Sequence, residues 1–252
     1  MPAGPPPRQQ SYATLRRSWG LFRAFLAEQS DPDRFYSLLA ADSVRQLSAW
    51  TSLDGRVVLD VGGGPGYFAA AFRRAGAAYV SVDADLGELS AAGRPGPGTV
   101  LGSGLALPVR DHGVDVCYSS NVLEHVPEPE RMADEMLRVT RPGGLVFLSW
   151  TTWLSPWGGH ETSPWHYVGG PYAVRRFVRR HGRAPKNEYG RTLFPVSAGR
   201  MLRWVRGAEA DRRGRLLDAL PRYHPWWAQW VATVPALREV ACWNYVLVVE
   251  SR

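Results

Sequence analysis

Apolar residues recur at helical spacing over residues 12–29 (Leu15, Trp19, Phe22, Phe25, Leu26) and again over 33–50 (Phe35, Leu38, Leu39, Val44). This spacing predicts two amphipathic helices ahead of the main fold. From Gly55 the rhythm changes. Short β-branched runs predict strands at 56–61, 78–82, 99–102, 114–119 and 144–150, separated by helical patterns at 66–75, 85–91 and 128–140. Strands that alternate with helices imply a parallel sheet with right-handed crossovers. Gly143 and Gly144, after Pro142, mark the turn into the fifth strand. Beyond Trp150 the alternation breaks. Residues 151–170 are rich in Trp, Gly and Pro and read as a long structured loop, a feature that is often functional. A helix at 171–181, a strand-like patch at 191–196, a helix over 198–219 and a terminal strand at 239–250 complete the pattern. No internal repeat and no second core is visible.

Composition narrows this picture. The start, residues 1–11, is Pro-rich and polar, which predicts a disordered tail rather than a signal with an apolar centre. No run is long enough to span a membrane, so a cytoplasmic protein is expected. Cys117 and Cys242, the only cysteines, sit in apolar strand-like stretches and read as reduced core thiols, and no metal site is expected. The net charge of +7 is concentrated in one segment: residues 171–222 hold thirteen arginines and Lys186 against Glu188, Glu209, Asp211 and Asp218. That bias favours an acidic group on an acceptor, or an anionic membrane surface, as partner. A plain solvated face competes with this reading, especially for Arg175, Arg176, Arg179 and Arg180 opposite the apolar side of helix 171–181.

The stretch from Val57 to Phe72 holds candidate chemistry. A strand ending in Asp60 and Val61 runs into Gly62, Gly63, Gly64 and Gly66, then into a helix. Glycines permit backbone angles that side chains forbid and let a ligand approach the chain closely, and the helix start offers free N–H groups. Gly64, Gly66 and Ala69 also satisfy the looser dinucleotide fingerprint, so the turn by itself leaves the nucleotide open. Asp83, at the end of the second strand, can accept hydrogen bonds from both hydroxyls of a ribose, which suits either cofactor class. The competing reading makes it a helix cap.

The segment Gly102 to Gly144 decides between them. With Asp60 to Gly66 and Asp83, it supplies Leu107-Pro108, Asp111, Asp115, Asn121 to Val126, and Arg141 to Gly144. Together these motifs resemble the class I S-adenosylmethionine-dependent methyltransferases, in particular the small-molecule, methyltransferase type 11-like branch. The resemblance implies an α/β fold: a Rossmann-like seven-stranded, mostly parallel sheet with helices on both faces, here with an N-terminal helical extension. The pattern along the chain reads as a single domain over 12–252, made of N-terminal helices (12–54), a cofactor-binding core (55–150), an acceptor-side lid (151–190) and the C-terminal part of the sheet (191–252). By the resemblance, the cofactor would be S-adenosyl-L-methionine. Gly62, Gly64 and Gly66 would pass under the methionine part, Asp60 would reach its ammonium, and Asp83 with Ala84 would hold the ribose. Ser103, Gly104 and Leu105 would border adenine, and Asn121 would lie beside the cofactor. Ser103 departs from the acidic residue common there.

Methyl transfer asks mainly for in-line alignment and exclusion of water, with a base where the acceptor is a hydroxyl. His125 is the first candidate base, against a structural hydrogen-bonding role, and His160, Glu161 and His166 are others. Trp150, Trp153, Trp157 and Trp165 would surround the acceptor, while Trp226, Trp227, Trp230 and Trp243 read as packing. The expected activity is methylation, at oxygen, of a small or medium-sized acceptor that is phenolic, sugar-containing or lipid-linked. A cofactor-binding protein without turnover is one alternative. A nucleic-acid methyltransferase is another, favoured by charge but lacking a base-flipping motif.

Overall fold

A computed structural model describes residues 12–27, 30–90 and 96–252. The predicted tail at 1–11 lies outside the described residues. Two helices come first, α1 (Leu15–Leu26) and α2 (Pro32–Leu47). Each begins at a side chain that accepts an otherwise orphaned amide: Thr14 accepts from Arg17, and Asp31 accepts from Arg34. The predicted alternation follows as β1 (Val57–Val61), α3 (Ala69–Arg74), β2 (Ala78–Asp83), α4 (Leu86–Ser90), β3 (Thr99–Leu101), β4 (Val114–Ser120), α5 (Pro129–Val139) and β5 (Thr140–Trp150).

The C-terminal part departs from the sequence expectation. Helix α6 (Gly170–His181) stands as predicted, but α7 spans only Ala198–Ala210. The rest of the predicted 198–219 helix is a strand, β6 (Gly214–Pro221), entered through Arg212 at φ 57°. Leu216, Leu217, Ala219 and Leu220 satisfy a helical spacing as well as a strand, and pairing with a neighbouring strand overrides that local preference. The predicted strand at 239–250 starts later, as β7 (Tyr245–Ser251), because Pro235–Val240 forms helix α8. Residues 191–196 form no strand; a single bridge joins Tyr189 to Leu193.

The strands lie in the order β3-β2-β1-β4-β5-β7-β6. β1 to β5 pair in parallel, and β7 runs antiparallel between β5 and β6. This is the expected seven-stranded, mostly parallel sheet. Alternate residues feed two cores, as a doubly covered sheet requires. Leu59, Cys117, Val146 and Leu148 meet Met132 and Met136 of α5 and Met201 and Val205 of α7. Val58, Tyr118 and Phe147 meet Leu39 of α2 and Phe72 of α3 on the other face. Both cysteines are free and buried. Trp150 is wholly buried in the first core rather than lining an acceptor site. Conversely Trp226, Trp227 and Trp230, expected as packing, are 48%, 57% and 57% exposed in a 3-10 helix. Among the described residues no helix is long and apolar enough to cross a membrane.

Candidate active site

The carboxyl ends of β1, β2, β3 and β4 gather the residues that the motifs single out. Asp60 is 2% exposed, and its Oδ2 accepts a hydrogen bond from the Tyr79 hydroxyl at 2.6 Å. Burial raises its carboxyl to about 7, against the Tyr79 hydrogen bond and aided by the charge of Asp83. The glycines after it divide into two kinds. A Cβ on Gly62 would lie 2.3 Å from Val122 Cγ2, and one on Gly63 would lie 2.7 Å from Ser81 Cβ, so these two serve close packing. A Cβ on Gly64 or Gly66 would meet nothing within 4 Å, yet both residues have positive φ, 48° and 87°. The turn therefore presents bare backbone to open space, a cradle suited to a ligand.

Asp83 braces this turn. Its Oδ2 accepts the Gly64 amide and its Oδ1 the Asp85 amide, both at 2.9 Å. The cap of α4 is the side chain of Asp85, which takes the amides of Gly87 and Glu88. Ala84 beside it is exposed. In the next loop the Ser103 hydroxyl accepts the Leu105 amide at 3.1 Å, and a Cβ on Gly104 would sit 3.1 Å from Val61 Cγ1. Asn121 follows β4 at φ 58°; its amide donates to Ser149, and its side-chain oxygen accepts from Asn244. The N-terminal extension also reaches this rim, since Tyr36 of α2 stacks on Tyr67 with centroids 4.8 Å apart and planes 7° apart.

His125 lies in a 3-10 turn, Leu123–His125, after β4. Its Nδ1 donates to the Thr192 carbonyl at 2.7 Å, which leaves Nε2 with the lone pair. Its ring lies 5.2 Å from that of His160, which adopts φ 47°. Burial lowers His160 to about 4, so its imidazole is neutral. Glu124 is 1% exposed; Oε1 accepts the Thr151 amide at 2.9 Å, and burial raises its carboxyl. The Phe194 amide closes on the Glu124 carbonyl at 2.7 Å, so segment 191–196 fastens this turn through that bond and the Thr192 carbonyl although it is no strand. Of the other candidates, His166 is buried, with Nε2 facing the Ser155 carbonyl, and Glu161 binds the Lys186 amide and the Asn187 side chain.

The aromatic loop is tightly built. A Cβ on Gly158 would lie 1.9 Å from the Trp153 carbonyl oxygen, and one on Gly170 would lie 2.2 Å from the Tyr189 ring, so these glycines serve contact rather than backbone freedom. Trp157 packs on Trp243, Phe25 and Phe22, with centroids 4.4, 5.7 and 6.2 Å away, and so anchors α1. Trp165 carries the Arg176 guanidinium at 3.8 Å from its ring centroid.

Three further residues of the site have no role that the sequence assigns. Tyr79 lies in a plain strand pattern, Glu124 falls inside the Asn121–Val126 motif without a chemistry of its own, and Arg222 stands out only as part of the basic segment. Arg222 is 1% exposed and donates to the hydroxyls of Ser120, Ser149, Ser43 and Tyr118. Arg17, paired with Asp42, donates to its carbonyl, so a chain of polar bonds ties α1 and α2 to the strand ends beneath the site.

A methyltransferase domain family matches residues 59–148. An uncharacterised methyltransferase of Mycobacteroides abscessus is 53% identical over 253 residues, covering 95% of this chain and 96% of its own. One of Mycobacterium tuberculosis is 52% identical over 247 residues, covering 94% and 95%. Among solved structures, an S-adenosylmethionine-dependent methyltransferase of Mesorhizobium loti superposes with a TM-score of 0.56 at 16% identity, over 85% of this chain and 97% of that one. Another, from Thermotoga maritima, gives 0.53 at 16% identity over 93% and 100%. With the strand order, the glycine cradle and full-length relatives agreeing, the chain belongs to the class I S-adenosylmethionine-dependent methyltransferases.

Proposed function

We propose that this enzyme methylates an oxygen of a small or lipid-linked acceptor, with the cofactor lying over the Gly62–Gly66 turn and the acceptor beside Glu124, His125 and His160. The open space above Gly64 and Gly66 supports the cofactor's place, because among the described residues no atom comes within 4 Å of a Cβ built there. In this reading Asp60 meets the ammonium, Asp83 and Ala84 the ribose, and Ser103, Gly104 and Leu105 the adenine edge. Asn121, held at positive φ, borders the reacting end. When bound, the cofactor supplies an already activated methyl group. The protein's task is then to align the acceptor and keep out water.

The observation that carries the oxygen reading is the acid–imidazole group formed by Glu124 and His125 after β4 and His160 after β5. Its three side chains offer ligating or proton-accepting atoms within 4.8 Å of one another. The ring nitrogen of His125 that does not bind Thr192 is the first candidate to take a hydroxyl proton. Incubation with radiolabelled cofactor and a panel of phenolic, glycosidic and lipid-linked hydroxyl acceptors, alongside amines, tests the reading. Methyl ethers or esters as products support it, and methylation confined to nitrogen overturns it.

A second reading concerns the acceptor's charge. Arg175, Arg179 and Arg180 are exposed and form no ion pair among the described residues. With Tyr172 and Arg176 they line a shallow depression along α6. We infer that this face meets an anionic group, either on the acceptor or at a membrane surface that presents it.

A further inference from the structure

Glu124, His125 and His160 converge from two separate turns, and the polar atoms they bring are not used up by the protein. Glu124 spends Oε1 on the Thr151 amide, while Oε2 is buried and has no hydrogen-bond partner among the described residues. His160 Nε2 is likewise buried without a partner among these residues. Leaving two such atoms unsatisfied in the interior is costly, and each such group in a folded protein calls for an explanation. His125 completes the set. Its Nδ1 is tied to the Thr192 carbonyl, the arrangement that orients a metal-ligating imidazole and fixes the lone pair on the other nitrogen.

The geometry points to a divalent transition-metal site formed by Glu124, His125 and His160, at the acceptor side of the cofactor cleft. Two imidazoles and one carboxylate are a donor set for zinc, iron(II), cobalt(II) or manganese(II) rather than for calcium or magnesium, which prefer oxygen ligands throughout. One ligating atom from each residue lies within 4.8 Å of the others. Metal–ligand bonds of about 2.1 Å bring such atoms to roughly 3.4 Å apart, so the three need only a modest contraction. The left-handed backbone of His160, φ 47°, is a conformation that non-glycine residues seldom take and that clusters at functional sites.

Three protein ligands leave coordination positions open. His125 is only half-buried, so the cluster has a side from which oxygen donors can enter. Val122, in the same turn, packs against Gly62 of the cofactor cradle, which sets the cluster next to the reacting end of the cleft. The metal would then hold an acceptor through oxygen atoms, a hydroxyl with a neighbouring hydroxyl or carbonyl. With the His125 lone pair on the metal, the metal's charge would acidify the bound hydroxyl and the proton would leave to solvent at the half-buried side, replacing direct proton removal by His125. Only this acceptor role rests on the oxygen-methylation reading; metal binding itself does not.

The test uses the full chain after chelator treatment, titrated with cobalt(II) and followed by visible ligand-field absorption, then by zinc(II) competition. Stoichiometric cobalt bands that zinc displaces are expected. Glu124→Gln, His125→Gln and His160→Gln should each weaken zinc binding by at least about ten- to hundred-fold, the loss that even an outer-shell change produces. His112→Gln, at an exposed histidine near the start of β4, should bind like wild type. S-adenosylhomocysteine calorimetry on every variant reports folding and the cofactor cradle separately. The site is overturned if wild type takes up neither metal while binding S-adenosylhomocysteine. It is equally overturned if a Glu124 or His160 variant that still binds S-adenosylhomocysteine keeps wild-type zinc affinity. Methyl transfer to oxygen that proceeds undiminished with a strong chelator would remove the acceptor role alone.

Discussion

The Tyr79 hydroxyl reaches across from β2 to donate to the buried carboxylate of Asp60 on β1 at 2.6 Å. Burial outweighs this bond and raises Asp60 to about 7 in the free protein. A cationic ammonium favours the ionised carboxylate, so cofactor binding should expel a proton where Asp60 is still protonated. Affinity for S-adenosylhomocysteine should therefore climb as pH rises toward about 7 and level off above it. Calorimetry in buffers of differing ionisation enthalpy should register proton release on the acid side. The same shift acts on folding with its own sign. The folded value lies above the unfolded 3.8, so Asp60's contribution to stability is fully present below about 4 and is lost as pH rises toward 7. Tyr79→Phe removes the donor and should move the affinity rise to higher pH. An affinity indifferent to pH across this range would detach Asp60 from the ammonium.

Asp83 and Asp85 stand two residues apart but do different work, and substitution should separate them. Asp83→Ala removes both the brace on the Gly64 amide and the acceptor proposed for ribose, and should weaken S-adenosylhomocysteine binding by about 1–3 kcal/mol. Asp85→Ala removes the cap of α4 and should cost about 1 kcal/mol of stability with affinity nearly unchanged. Equal affinities for Asp83→Ala and wild type would leave Asp83 as a loop brace only.

The glycines of the turn admit a similar contrast. Gly62 and Gly66 both have positive φ, so alanine strains either by roughly 1–2 kcal/mol. Only at Gly62 does the new Cβ also collide with Val122. Gly62→Ala should therefore lose clearly more stability in urea unfolding than Gly66→Ala. Gly66→Ala should lose cofactor affinity out of proportion to its loss of stability, because the methyl group enters the open cradle. Matching stability losses with intact binding would contradict that division.

The first five strands were legible because β-branched strands alternate with glycine turns and amphipathic helices, and the cofactor end was legible because its motifs recur in order. β6 was not, since its leucines and alanine suit either helix or strand and only pairing with β7 decides between them. Trp226, Trp227 and Trp230 misled for a related reason: an aromatic-rich run looks like core until the described neighbouring elements leave about half of each side chain exposed. Tyr79, Glu124 and Arg222 stayed hidden because what marks them is burial with particular partners, or the lack of one. A motif or a charge run can contain such a residue without marking its burial or its partners.

Trp157 illustrates the same limit. The Trp-rich pattern puts it on the acceptor wall, but its ring packs on Trp243, Phe25 and Phe22. Trp157→Ala should cost about 2–3 kcal/mol in urea unfolding, less than a fully buried aromatic because the side chain is half-buried. The N-terminal helices should become more open to protease, since the loss frees α1 from the loop. A variant with wild-type stability and impaired acceptor turnover alone would return Trp157 to the acceptor site.

The exposed guanidiniums of α6 bear on where the acceptor is met. Arg176 is committed to the Trp165 face, whereas Arg175, Arg179 and Arg180 are exposed beside it. Each basic residue near an anionic lipid surface contributes about 1 kcal/mol, an attraction that fades within about 8–10 Å in physiological salt. Reversing all three to glutamate should therefore abolish co-sedimentation with vesicles rich in anionic lipid, while binding to neutral vesicles and S-adenosylhomocysteine affinity stay as they were. Added salt should imitate the reversal in the wild-type protein. If the triple variant still sediments and Trp226→Ser with Trp230→Ser does not, attachment runs instead through the exposed tryptophans and owes nothing to the arginine face. If wild type sediments with neither vesicle but the triple variant loses turnover of a phosphate- or carboxylate-bearing acceptor, the same guanidiniums act on the acceptor directly.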